Sequence, residues 1–581
     1  MQRSLLIWLF LAIFALPVMA DQPESAINKE TSDDSSNEVV ETEDSESVSD
    51  SLVRPPLIQV GKASFDLGIE YRLRNIYINP LQLNGLDAVE VGYGIQRLRT
   101  AWSFDWDDKV KINAQIDFLD GVLFGDNGLI YGDSPYPNEG TSSAARWPNE
   151  AGIAVVLKEG GDPLDSDSYT YGLKEMDPVY VRRAWGEVWI GFGMLRVGRM
   201  PAHDGRNILG NSGDNDLNRF GSVGRGNTAD RILFGTKPIQ IAKALMSGDP
   251  SEADSRQDRG LFFGMAYDRL VDDAIQLSAD DAGQFGTSAY YLIPEFDLFG
   301  VTIRDIKLLG AFAYRNSDDV QTDVFITPFE FKFSIEDDFH LEFQAAVIWG
   351  KTREVSDALS LMSGRTPVVQ DLLGYGMFAI ADYDLGPVTF TLEFDYASGD
   401  DDPRPEADNV VKDFFFAEDT KVGLLLFPQV LAYETACSAA AATATLKGLG
   451  ATALPSTRMA TGGAFTNAIA LFPQVTWHIT DDIFIRFGAL MAWAAAPVTD
   501  PHETLLHEDG DSIEDDAVNF NGGPPGNYYG TEFDLRISAR LWGHFYFDLE
   551  GAILLPGDAL QDEHGDAVMS AMAEARFTFR Y

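Results

Sequence analysis

Side chains that could perform acid–base or metal chemistry are scarce in this chain. Its histidines are His203, His340, His478, His502, His507, His544 and His564, and its one cysteine is Cys437. A hydrolase needs a nucleophile within hydrogen-bond reach of a histidine that a third group orients. No local motif supplies that arrangement around any of these histidines. No catalytic residue is therefore assigned, and a barrel-embedded lipase or protease is the weaker rival reading. A single cysteine excludes a disulfide framework and a cysteine metal centre. The stretches "SGDNDLN" (212–218) and "SGDDD" (398–402) offer hard oxygen ligands. They fit no EF-hand spacing, and Gly, Asp and Asn are ordinary turn formers, so neither a metal nor a cofactor is expected. What the chain does carry is charge at alternate positions: Arg72 and Arg74, Arg97 and Arg99, Glu393 and Asp395, Arg576 and Arg580, with Glu330, Glu342, Arg536 and Arg540 in similar settings. Side chains two residues apart share one face of a strand. Their chemistry is attraction of ions and polar solutes.

Those charges sit in segments whose other face is apolar. Phe65, Leu67, Ile69, Tyr71 and Leu73 alternate with Asp66, Gly68, Glu70, Arg72 and Arg74. Phe339, Leu341, Phe343, Ala345, Val347 and Trp349 alternate with His340, Glu342 and Gln344, and the chain ends with Phe577, Phe579 and Tyr581 against Arg576, Thr578 and Arg580. Period two argues for strands with one apolar and one polar face. Eighteen segments fit, near 63–77, 94–106, 110–120, 179–190, 194–201, 229–236, 260–268, 286–298, 301–315, 321–335, 339–351, 373–383, 388–398, 466–479, 483–495, 529–542, 545–555 and 567–581. Segments 229–236 and 260–268 are short, and the connection 237–259 is long for a turn; without that pair sixteen strands remain. The apolar stretch 421–433 would break the even count, so it is expected to fold inside the loop 399–465.

A soluble sandwich would also alternate, but two features favour a barrel in a membrane. The apolar faces are rich in aromatic residues, and short turns ("DDK", "GFG", "EDD", "DLG", "TDD", "WGH") alternate with the long polar loops 121–178, 201–228, 352–372, 399–465 and 496–528. Residues 1–20 carry Arg3, an apolar run and a small residue at Ala20, the pattern of a cleaved export signal. Residues 21–55 are acidic, with Lys29 the only base up to residue 51, and such a segment cannot bury enough apolar surface to order itself. The expected organisation is thus a signal peptide (1–20), a disordered acidic periplasmic tail (21–55) and an all-β, antiparallel transmembrane barrel (56–581) in the bacterial outer membrane.

Overall charge is -47, from 43 basic and 90 acidic side chains, which argues against nucleic acid as a partner. On the expected lumen faces acids and bases nearly cancel, so the excess lies in the tail and loops. A barrel of sixteen to eighteen strands leaves a water-filled lumen. The expected role is a channel for small hydrophilic or charged solutes, embedded among outer-membrane lipid and lipopolysaccharide. The alternative is a binding or adhesion barrel working through its acidic loops. Nothing in the chain specifies an oligomeric state.

The stretch "VRRAWGEVWIGFGMLRVGR" (181–199) resembles the porin pattern of a strand, a Gly-Phe-Gly turn and a returning strand ending in Gly-Arg. That resemblance implies that Arg199 faces the pore. The stretch "FDYASGDDDP" (394–403) is similar to a strand-to-loop signature of alginate-export-type barrels, and the chain also resembles large uncharacterised outer-membrane proteins of myxobacterial type. Phe579 and Tyr581 resemble the terminal aromatic signal by which the barrel assembly machinery recognises its clients. With strand 1 closing on strand 18, the Arg72–Arg99 and Arg536–Arg580 groups gather near the seam. Glu330, Glu342, Glu393 and Asp395 fall opposite, which predicts a transverse field across the lumen.

Overall fold

The computed structural model describes residues 57–81, 83, 90–126, 129–131, 144–146, 155–157, 171–173, 179–203, 206–214, 218–224, 226–248, 258–270, 283–318, 321–353, 355–356, 366–401, 405, 408–435, 461–497, 526–561 and 565–581. The expected signal peptide and acidic tail lie outside the described residues.

Eighteen strands form the wall: β1 Ala63–Asn79, β2 Val91–Trp106, β3 Val110–Asp126, β4 Val179–Ile190, β5 Gly193–Pro201, β6 Thr228–Thr236, β7 Gly260–Leu270, β8 Gly283–Leu298, β9 Val301–Ser317, β10 Thr322–Ile335, β11 Phe339–Thr352, β12 Gln370–Leu385, β13 Val388–Ala397, β14 Ala468–Thr480, β15 Ile483–Ala494, β16 Tyr528–Leu541, β17 Phe545–Pro556 and β18 Ser570–Arg580. Each pairs antiparallel with its chain neighbours. β18 returns to β1 in a ladder from Asn79↔Ala571 to Glu70↔Arg580. Beyond it, Ile69 and Tyr581 exchange two backbone hydrogen bonds of 2.8 Å. Closure pairs both edge strands, which is the condition for a sheet to sit in hydrocarbon. The two short segments that left the count open are present as β6 and β7.

One end of the wall is joined by turns of two or three residues, with one exception at β6–β7. Their sequences explain their tightness. Phe299–Gly300 places both residues of a two-residue hairpin at positive φ, the geometry whose twist matches the strands, and Trp542–Gly543 does the same within a three-residue turn. In the turn after β2, the Asp108 amide donates to Asp105 Oδ1 at 2.9 Å.

Burial is inverted relative to a soluble domain. Exposed large apolar residues lie on the outside of the wall, among them Trp102, Phe104, Phe285, Phe312, Trp349, Phe390, Trp477, Phe533 and Phe577. A belt of this kind is stable only against lipid. The chain is a transmembrane barrel of the outer membrane. Among the described residues no helix is long and apolar enough to cross a membrane.

The buried apolar residues lie within the barrel. Phe414, Phe416, Val422, Leu424, Leu425, Leu426, Phe427, Val430, Leu431 and Tyr433 from the β13–β14 connection pack with Phe465 and with inward wall residues such as Phe378, Phe472, Leu490 and Leu554. The expectation that 421–433 folds inside the loop is met. Leu426–Leu431 forms a helical turn, and the Val430 amide reaches back five residues to the Leu425 carbonyl at 2.9 Å. Below this core the described residues of the β5–β6 connection, 202–203, 206–214, 218–224 and 226–227, lie inside the lumen; Phe220 stacks on Phe472 at 5.4 Å.

Candidate functional site

The wall's alternate charges converge in the lumen, and among the described residues two loops enter it. The β5–β6 loop is held by guanidinium groups donating to its backbone carbonyls. Arg72 Nη1 donates to Val223 O at 2.8 Å, Arg97 Nη1 to Gly224 O at 2.7 Å and Arg99 Nη1 to Gly213 O at 3.0 Å. From the far side of the seam Arg486 Nη1 donates to Arg219 O at 2.8 Å, and Arg536 Nη1 to the carbonyls of Asn218 and Arg219 at 3.4 and 3.3 Å. Arg182 and Arg183 both bond Ser212 O and the Asp214 carboxylate. Burial raises the Asp214 pKa, but Arg183 and Arg182 outweigh that and hold it below the usual carboxylate range.

The β13–β14 loop is fixed by carboxylates instead. Glu532 accepts the amides of Leu424, Leu425 and Leu426 at 2.6, 2.8 and 2.6 Å. Asp419 binds the two loops together: its carboxylate accepts the Gly224 and Gly226 amides, and its carbonyl accepts Asn211 Nδ2 and Asn218 Nδ2 at 3.0 and 2.8 Å. Amides and carbonyls of a loop lying inside a barrel have no ladder to join, so wall side chains must satisfy them.

The residues expected to line a pore fall into three groups. Arg72, Arg74, Arg97, Arg99, Arg536 and Arg576 all point inward but are covered by the loops. Arg74 makes a two-point pair with Glu574 at 2.7 and 2.8 Å. Arg576 is bonded to Asp548, Glu550 and Glu574 at 3.1, 3.0 and 3.2 Å, Arg97 to Glu70 at 2.8 Å, and Arg99 to Asp117 at 2.7 and 2.8 Å. The seam is thus neutralised locally, and the expected one-sided field is compensated where it arises. Glu393 is buried between Arg206 and Gln474, each donating at 2.8 Å. Asp395 is buried with neither carboxylate oxygen hydrogen-bonded to a described residue, and Asp534 shares that state.

The second group lies nearer the short-turn end, where Glu342 and Arg540 are half-buried and Glu330 is buried. Glu330 pairs with Lys307 at 2.8 Å, Glu342 accepts Gln344 Nε2 at 3.0 Å, and the Arg540 guanidinium lies 5.7 Å from the Tyr546 ring centroid. Arg199 alone forms the third group and corrects the expectation. The β5 ladder runs without a bulge on either side, so Arg199 shares the outward face of Leu195 and Val197. It bonds Asp230 at 2.9 and 3.0 Å at the long-loop rim. The inward arginine of that strand is Arg196, paired with Glu187 at 2.6 Å.

Sequence reasoning missed Arg182, Arg183, Arg206 and Arg219. Two adjacent arginines in one strand break the alternation, which is the signal for a bulge; the ladder shifts register opposite them, between Gln115 and Ile116. Arg206 and Arg219 belong to a loop, where no period marks them. The structure also brings together a polar chain across five strands. His340 lies between Ser334 Oγ at 2.8 Å and Asp384 Oδ2 at 3.3 Å, and Thr389 links Asp384 to His478. Ser334 is buried, so its hydroxyl offers no open face to a substrate carbonyl.

The two sides of the lumen differ in how the loops meet them. A Cβ added at inward Gly376 would lie 2.4 Å from Phe414, and one at Gly488 3.0 Å from Phe220: the loops are pressed against β12–β15. At inward Gly264 and Gly286 the nearest atoms all belong to neighbouring wall strands. Exposure follows the same division. The side chains of Arg196 and Lys307 are 37% and 33% exposed, whereas those of Arg74 and Arg576 are 2% and 0%.

No family model matches the chain, and no curated protein matches it either. Among solved structures the chain is similar to the outer-membrane protein OpdK from Pseudomonas aeruginosa, at 11% identity and a TM-score of 0.42 over 89% of this chain and 99% of that one. OccK9 (OpdG) of the same organism gives 10% identity and a TM-score of 0.43 over 89% and 99%. OccAB1 of Acinetobacter baumannii gives 8% and 0.43 over 89% and 96%. The barrel described above rests on its own unbroken ladder of eighteen strands.

Proposed function

We propose that this protein is a porin-like channel for small hydrophilic or charged solutes, and that its passage runs off-axis. The path follows the inner face of β5–β10, past Arg196, Gly264, Gly286, Ser288 and Lys307. One observation carries this reading: the inner loops touch β12 and β15 at glycine-sized distances, whereas inward Gly264 of β7 and Gly286 of β8 face no described loop atom within 4 Å. Small side chains on a lumen wall leave room for solute and water, and lumen charges tune selectivity in such barrels. Expected roles follow position. Arg72, Arg97, Arg99 and Arg536 hold the loops, Arg74 and Arg576 are paired with wall carboxylates, and Arg196 and Lys307 meet the solute.

The alginate-export resemblance receives little support from local geometry. In its matching stretch Ser398 Oγ donates to the Lys412 carbonyl at 2.6 Å and the Asp400 amide donates to Asp413 Oδ1 at 2.9 Å, so these residues serve a strand-to-loop turn.

Conductance of the purified barrel in planar bilayers tests the proposal. Ser288→Trp should reduce single-channel conductance severalfold, and a tryptophan in place of outward Tyr291 should not. Equal conductance for both would place the path elsewhere. Absence of any conductance in the folded wild type would favour the adhesion barrel.

A further inference from the structure

The one long connection on the short-turn side contains a helix, α1 Pro238–Ser247, between β6 and β7. Every other connection at that end has two or three residues. Pro238 opens the helix and Gly248, at φ 71°, closes it. None of its residues is buried. Gln240, Ile241 and Ala244 are half-covered, whereas Ile239, Ala242, Lys243, Leu245 and Met246 are exposed, Leu245 to 77% and Met246 to 81%. An aqueous surface helix would carry its polar residues on that face. This one carries mostly apolar residues and Lys243, with no acid in its sequence, in a chain whose net charge is -47.

The base of α1 adjoins the lipid-facing belt. Thr236, two residues before the helix, donates its hydroxyl to the Phe192 carbonyl at 2.7 Å. The exposed Phe192 ring lies 6.0 Å from Phe234, which shares the outward face of Ile232. Elsewhere on the same rim the turn residues Phe299 and Trp542 are also almost fully exposed, as residues of an interfacial aromatic girdle are.

We infer that α1 is an interfacial anchor that lays its exposed apolar face, Ile239, Leu245 and Met246, into the periplasmic leaflet of the outer membrane. Lys243 then lies at the phosphate level. A short helix with an apolar face and basic rather than acidic charge suits the boundary between headgroups and acyl chains. Its continuity with the Phe192–Phe234 edge supplies the surface on which it lies.

Cys437 is the only cysteine, so site-specific labelling needs one background change, Cys437→Ser. Met246→Cys, Leu245→Cys and, as a polar turn reference, Asp108→Cys are each labelled with bimane in proteoliposomes of phosphatidylcholine and phosphatidylglycerol. Replacing part of the phosphatidylcholine by its dibrominated form should quench bimane at 245 and 246 at least about twofold more than at 108, because an interfacial helix sits within reach of brominated chains. Aqueous iodide should show the opposite order. Heat-modifiable migration checks that each variant is a folded barrel. Equal bromolipid quenching at all three positions overturns the inference. So does protection at 246 from iodide without quenching by bromolipid, which would mean that protein covers this face. Neither readout depends on conductance.

Discussion

Replacing Glu532 with alanine should free the inner loop while leaving the barrel wall intact. The Glu532 carboxylate is fully buried and accepts three consecutive amides, Leu424, Leu425 and Leu426, at 2.6 to 2.8 Å. Hydrogen bonds to a charged acceptor contribute ~1.5–3 kcal/mol each, and a buried amide left without a partner costs a similar amount. Three bonds give roughly 4–9 kcal/mol, and water entering the vacated space returns part of it. Taking ~4 kcal/mol as the net loss, local opening of this turn becomes about a thousandfold more frequent. The wall does not depend on this side chain, because the backbone of β16 is laddered to β15 and β17 on both sides. Hydrogen exchange read by mass spectrometry on the reconstituted barrel should show protection at 424–426 falling by about that factor, with strand amides unchanged. Glu532→Gln keeps one acceptor oxygen and should fall between wild type and alanine. Protection in the alanine variant that stays within tenfold of wild type would refute the argument, since the loop would then be held by its apolar core alone.

Other outcomes separate the holding charges from the solute-facing ones. Arg74→Met leaves Glu574 buried with fewer partners and should destabilise the barrel by about 3–5 kcal/mol, seen in urea unfolding, with no change in reversal potential. Arg196→Gln should move the reversal potential toward cations in low salt, where screening is weak; no shift would take Arg196 off the solute path. Burial and the neighbouring Asp400 carboxylate push Asp413 up to about 7. The folded loop then holds a proton that the unfolded chain releases near pH 4, so the contribution of this group falls as pH rises from about 4 to about 7 and is flat above that. Exchange of the Asp400 amide should accelerate across this window, and Asp413→Asn should abolish the dependence. Deleting Tyr581 removes the two backbone bonds to Ile69 as well as the terminal aromatic, and should lower the amount of folded barrel in the outer membrane; normal levels would show that neither matters for assembly.

The wall was legible in the sequence. Period-two alternation located all eighteen strands, and the lengths of the connections distinguished the two ends. The reason is local: a strand with lipid on one side and a polar lumen on the other must alternate residue by residue, and a turn such as Phe299–Gly300 must carry residues that tolerate positive φ. Even the fate of 421–433 followed from this constraint, since a nineteenth strand would have broken parity.

Alternation assigns a side chain to a face and says nothing about what covers that face. Arg74 and Arg196 both point inward from their strands, yet one is sealed against Glu574 and the other, paired with Glu187, is 37% exposed. Arg199 was placed inward by a resemblance, and the ladder put it outside. Arg182 and Arg183 share the lumen because β4 bulges at Arg182, the extra residue between Val181 and Arg183 opposite Ile116 and Gln115. Partners such as Arg74 and Glu574 are 500 residues apart, and the Asp419 contacts to Gly224 and Gly226 join two loops with no period of their own. Only barrel closure and the inward folding of those loops bring such groups within hydrogen-bond reach. The sequence by itself therefore determined the wall and its orientation, and the tertiary structure decided which of its charges remain free to meet a solute.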